Sequence, residues 1–203
     1  RLFNMTSWCM MGSVLFSSDP NRALRMSRHL TAVLALVVFT LICVLFYSNN
    51  LFIIDELTFS YILTFFWVGV LLFTVTFRLG LNQRCADPSL TVPQIVWGTT
   101  FSLTITCLLN EWRGLTLIAY FGILSFGFFR LRFREFLSVA LFAILGYTLI
   151  ILYLFVYGPE RIDIKLELLQ LLAFVSNITV MLFTGSAIHR LREETNKQRE
   201  KLE

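Results

Sequence analysis

An all-α membrane bundle of six transmembrane helices is the fold class that the sequence predicts, and three observations predict it. The first is scarcity of charge: 15% of the 203 residues are Asp, Glu, Lys or Arg and 57% are hydrophobic. An average soluble domain carries roughly 25% charged residues, so this chain has too few to cover a water-facing surface. The second is the recurrence of apolar segments, six in all, each near the length of roughly 20 residues that crosses about 30 Å of hydrocarbon. The third is the distribution of Lys and Arg, which alternates loop by loop with 14 on one side and 3 on the other. That asymmetry predicts six spans with both termini in the cytoplasm. Sheets with open edges are excluded, because unpaired backbone groups are too costly in lipid.

The elements follow in order. Residues 1–27 read as a cytoplasmic or interfacial N-terminal segment. Leu2, Phe3, Met5, Trp8, Cys9, Met11, Leu15 and Phe16 make an interrupted apolar stretch that suits a helix lying on the cytoplasmic leaflet, ended by Asp19-Pro20. The alternative is a tail held by a partner domain. Residues 28–188 form the transmembrane domain, with spans expected at Leu30–Tyr47, Phe59–Phe77, Val92–Leu109, Leu115–Phe129, Phe136–Tyr157 and Leu168–Ile188. The first apolar run begins after arginines and is long enough to span, so it does not read as a cleavable signal peptide. The third and fourth spans are joined only by Asn110-Glu111-Trp112-Arg113-Gly114, which predicts a tight helical hairpin. The chain opens at Arg1 without Met and ends in a charged helical pattern, as expected for a portion of a larger protein.

Residues 189–203 change character abruptly. They are charged, lack Gly and Pro, and carry Ile188, Leu191, Thr195, Gln198 and Leu202 at spacings of 3, 4, 3 and 4. This is a heptad seam with polar interruptions, and Glu193 with Lys197 adds i, i+4 support. A weak seam suits a signalling helix that must shift register; a solvated extension without a partner is the plainer alternative.

Candidate chemistry is sparse. The expected spans hold no ionisable residue near their centres, whereas pumps, transporters and intramembrane proteases usually need one. No metalloprotease, nucleophile-elbow or phosphate-loop motif is present, so the chain reads as a non-enzyme with no cofactor and no metal. Cys9, Cys43, Cys85 and Cys107 have no metal-ligand spacing and read as apolar fillers. The basic residues lie scattered between apolar runs, which excludes nucleic acid as a partner. Polar groups that remain are Glu167, Gln170 and Asn177 on the sixth span, expected on one stripe with residue 174. Tyr120 and Trp112 stand near the outer end of the fourth span, Thr104 and Thr106 lie on the third, and Tyr61 and Thr64 on the second. One reading is an outward-opening pocket for an amphiphilic ligand, lined by Asn177, Gln170, Tyr120, Trp112, Glu167 and Tyr61. The other is ordinary interhelical hydrogen bonding, worth about 1 kcal/mol or less per pair. Ala140, Ala143 and Gly146 mark a stripe where another helix can approach closely.

The loops carry a resemblance. The stretch Arg78–Gln94, the basic aromatic elbow Phe126–Phe136 (FGFFRLRFREF) and Gly158–Gln170 (GPERIDIKLELLQ) resemble the six-helix membrane input region of bacterial diguanylate cyclases. The resemblance covers nearly the whole chain from Asp19 onward. It implies a homodimer in the bacterial inner membrane whose sixth helix runs through a coiled coil into a GGDEF domain that makes cyclic-di-GMP from GTP. That catalytic signature is absent from these residues, so the expected role is to receive a signal. Membrane lipids and an amphiphile such as a fatty acid are the expected partners, and the elbow's contact is expected to be anionic lipid.

Overall fold

The computed structural model describes residues 20–84, 87, 89–128, 131 and 133–200. The expected interfacial segment before Pro20 and the seam residue Leu202 lie outside them. Among the described residues six α-helices follow one another: α1 (Pro20–Ser48), α2 (Glu56–Leu79), α3 (Thr91–Leu108), α4 (Thr116–Phe128), α5 (Phe133–Tyr157) and α6 (Ile164–Glu200). Short 3-10 turns at Leu81–Arg84, Glu111–Leu115 and Pro159–Arg161 sit in the connections. Among the described residues there is no strand, only one isolated antiparallel bridge between Phe52 and Leu109.

Among the described residues four stretches are long and apolar enough to cross a membrane: His29–Ser48, Glu56–Leu79, Phe133–Tyr157 and Ile164–Gly185. Their outward faces expose Leu41, Phe65, Leu72, Leu149, Phe155 and Leu172, among others. Apolar surface on that scale calls for lipid as its solvent. The two remaining helices differ in kind. α3 has 18 residues but intersperses five threonines, and α4 has only 13, about 20 Å at 1.5 Å per residue.

The chain divides into two compact units, Arg1–Val44 with Asp55–Leu90, and Leu45–Ile54 with Thr91–Glu203. In the first, Asp55 caps α2 by accepting from the Thr58 backbone N–H, and Gly80 ends it in a left-handed conformation at φ 73°, which glycine adopts without a Cβ penalty. His29 Nε2 stands 2.8 Å from Thr74 Oγ1. The Thr74 hydroxyl already donates to Val70 O, so His29 is the donor in that bond.

In the second unit α3 packs on α4 and α5, α5 packs on α6, and α4 touches α6. The core is built from Ile95 on α3, Tyr120 and Leu124 on α4, Val139, Ala140, Ala143, Tyr147 and Ile151 on α5, and Phe174 and Ile178 on α6. The small-residue stripe marks the α3–α5 approach, since a Cβ on Gly146 would run into the Leu103 side chain. At one end, the 45–54 segment is tied to the α3–α4 connection by Asn110 N–H donating to Leu51 O at 3.0 Å and Ile53 N–H to Leu108 O at 3.2 Å.

Candidate functional site

The site begins with backbone geometry at the α3–α4 connection. Trp112 leaves helical conformation at φ −90°, ψ 16°, and this break turns Arg113 inward while Trp112 stays 55% exposed. Arg113 is 1% exposed. Its Nη2 donates to Asn110 O at 2.6 Å, Arg161 O at 2.9 Å and Leu109 O at 3.4 Å. A guanidinium so placed gathers the carbonyls that the ends of α3 and of the Pro159–Arg161 turn leave without helical partners.

Its counter-ion comes from α6. Glu167, 4% exposed, places Oε1 3.3 Å from Arg113 Nη1. The Tyr147 hydroxyl on α5 donates to Glu167 Oε2 at 2.7 Å and lies 3.0 Å from the Gln170 amide. A hydroxyl has one proton, so it cannot serve two acceptors fully. The Tyr147 hydroxyl thus shares its proton between Glu167 Oε2 and Gln170 Oε1, and Arg113 closes the far side of Glu167. Gln170 in turn lies flat on Gly114, where a Cβ would come within 2.5 Å of its amide nitrogen. A side chain at this position would displace the Gln170 amide.

A second cluster adjoins this one through the chain at Arg113. Thr116 Oγ1 donates to Arg113 O at 2.6 Å and sits 2.6 Å from Thr106 Oγ1. Thr106 Oγ1 donates to Ser102 O at 2.7 Å and lies 3.3 Å from the Tyr120 hydroxyl. Phe174 sits between the tyrosines, with ring centroids 5.2 Å from Tyr120 and 6.0 Å from Tyr147. Tyr120 and Tyr147 are both 0% exposed. The residues touch one another here and are buried.

Of the residues singled out from sequence, Glu167, Gln170 and Tyr120 come together in this core. Asn177 does not join them: it is exposed and donates back to Ala173 O at 2.8 Å, a local bond that satisfies a polar side chain on a helix surface. The expected stripe of 167, 170, 174 and 177 is thus corrected at its last member. Ten residues at 3.6 per turn carry Asn177 about 80° around from Glu167, whereas eleven bring Ile178 to within about 20°, and Ile178 is the buried one. Tyr61 on α2 belongs to the other unit and is 72% exposed. Ile188, Leu191 and Thr195 lie within continuous α6.

Sequence reasoning missed Arg113 and Tyr147. Arg113 was counted as an outer-loop charge, and its signal was the short connector that pairs it with Gly114. No family model matches the chain, and no curated protein or solved structure matches it either. The functional reading therefore rests on this geometry and on the loop motifs.

An ion pair at the edge of an apolar core, read by hydroxyl and amide partners from α4, α5 and α6, has discrete made and broken states. Breaking such a pair from one side leaves an uncompensated buried charge.

Proposed function

We propose that the chain is the membrane sensory region of a signalling protein. It crosses the bacterial inner membrane six times with both termini in the cytoplasm, detects an amphiphilic, lipid-like signal and works as a homodimer. The observation that carries this reading is α6, a single helix of 37 residues, about 55 Å long at 1.5 Å per residue. Its first turn holds the buried Glu167, its apolar part ends near Gly185, and its last turns carry the charged heptad pattern. A signal that remodels the Arg113–Glu167 pair therefore acts directly on one end of a rod whose other end lies beyond the hydrocarbon.

The magnitudes are compatible with a switch. Breaking a buried pair is worth about 3–5 kcal/mol, and moving a two-state equilibrium from 1:99 to 99:1 takes about 5.5 kcal/mol. Reordering the network thus supplies most of what a shift in α6 requires. Through the seam at Ile188, Leu191, Thr195 and Leu202 the shift passes to a dimeric coiled coil. The loop resemblance makes a diguanylate cyclase the output; a histidine kinase or an adenylate cyclase in its place would leave the membrane mechanism unchanged.

The test is to join residues 1–203 to a diguanylate cyclase domain stripped of its own input region and measure cyclic-di-GMP in cells. Tyr147→Phe and Glu167→Gln are expected to shift output several-fold at equal protein level. Output indifferent to both variants would reduce the chain to a passive dimerising anchor.

A further inference from the structure

We propose that the corner formed by Arg113 and Arg161 binds the carboxylate of a single-chain amphiphile. This deepens the sensory reading, on which it rests, by naming the class of signal and the groups that hold it. Arg113 spends Nη2 on backbone carbonyls, while its Nε and Nη1 are buried without a hydrogen-bond partner. Nη1 faces Glu167 at 3.3 Å as an ion pair without aligned hydrogen-bond geometry, longer than the roughly 2.7–2.9 Å of a well-made charged bond. Arg161, whose own carbonyl accepts from Arg113 at 2.9 Å, likewise buries Nε and Nη2 without partners. Buried guanidinium N–H groups left this way are costly, and two residues joined through the Arg161 carbonyl both leave them unmet.

Charge points the same way. Arg113 and Arg161 both bury guanidinium nitrogens, and the one buried carboxylate here, Glu167, faces Arg113. Glu160 and Asp163 nearby are exposed, and Asp163 is engaged in capping α6 through the Lys165 and Leu166 backbone N–H groups; Lys165 is exposed as well. One monoanion therefore balances the corner. The flat Nε–Nη2 edge of Arg161, both of whose nitrogens lack a partner, matches a carboxylate's two oxygens, and the neighbouring Arg113 already faces a carboxylate in Glu167. The ligand is amphiphilic because Leu115 and Ile118, which follow Arg113 in the chain, and Leu166 and Leu169, which flank Glu167, are exposed and would meet an acyl tail in hydrocarbon.

The experiment measures binding of dodecanoate to the whole chain in phosphatidylcholine nanodiscs by native mass spectrometry, with dodecanol as the uncharged control and phosphatidylglycerol as the anionic-lipid competitor. Dodecanoate is expected to bind, dodecanol not to, and Arg161→Gln to weaken binding by about tenfold, the worth of one charged hydrogen bond. Glu167→Gln, which removes the internal competitor, is expected to tighten it. Arg161 lies outside the ion pair, so its variant keeps the fold and the test stands even where Arg113→Gln fails to fold. Equal binding of dodecanol, or affinity unchanged in Arg161→Gln, would overturn the proposal. So would phosphatidylglycerol occupying the site with dodecanoate unable to displace it, since the ligand is then a phosphate headgroup. Failure here with cyclase output still sensitive to Tyr147→Phe leaves the sensory reading intact with a different signal. Binding without any change in output would instead sink the sensory reading and keep the site.

Discussion

Arg113 and Glu167 are each tolerable in an apolar core only because the other is present. Arg113→Leu is expected to cost about 3–5 kcal/mol, because it strands a buried carboxylate. The double variant Arg113→Leu/Glu167→Leu should recover most of that loss, as measured by detergent-denaturant unfolding of the purified chain. Tyr147→Phe removes one bond to a charged group and should cost about 1–3 kcal/mol in the same assay. Gly114→Ala should be poorly tolerated alone and rescued by Gln170→Ala, since the added Cβ collides with the Gln170 amide; non-additivity in that cycle is the readout. Outside the spans, the bonds from Thr58 to Asp55 hold the Asp55 carboxyl below its ordinary value of 3.8. A depressed carboxylate stabilises the fold above its unfolded value, and the effect is lost as pH falls through the folded one. The N-cap of α2 is therefore expected to hold from neutral pH down to about 4 and to weaken below it. NMR titration of Asp55 in the wild type and in Thr58→Ala checks this, with the titration moving up in the variant.

At the scale of elements, legibility followed from length and apolarity. The expected spans Leu30–Tyr47, Phe59–Phe77 and Phe136–Tyr157 fall inside α1, α2 and α5, because unbroken apolar runs of that length have one stable form in lipid. The hairpin through Asn110–Gly114 was legible because five residues leave room for little else. The inner arrangement was harder to read. Counting cations to orient the chain treats every connector arginine as solvent-facing, so it could not distinguish Lys165, which is exposed, from Arg113, which is buried. Extending a helical stripe over ten residues accumulates angular error, and that drift placed Asn177 on the wrong face. The continuity of α6 carries its own prediction. Ser186→Pro, just past the apolar part, should interrupt the helix and uncouple cyclase output from Glu167→Gln, while leaving detergent stability close to that of the parent chain.

For the whole molecule, the account commits to an even number of crossings. In intact cells, a membrane-impermeant maleimide should label Glu160→Cys, whereas Thr195→Cys should react only after lysis; both sites are exposed. Labelling of both from one side would mean that α6 does not cross, and labelling of Thr195→Cys but not Glu160→Cys in intact cells would mean that one of the two short or polar helices, α3 or α4, does not.

The central claim is that the buried network at the start of α6 sets the state of its far end. Disulfide trapping of Leu191→Cys in membranes, with the native cysteines replaced, tests it most directly when Tyr147→Phe is compared with the parent chain. The account predicts dimeric cross-linking in both, at rates differing several-fold. Cross-linking absent from the parent, or proceeding at the same rate in both, would contradict it.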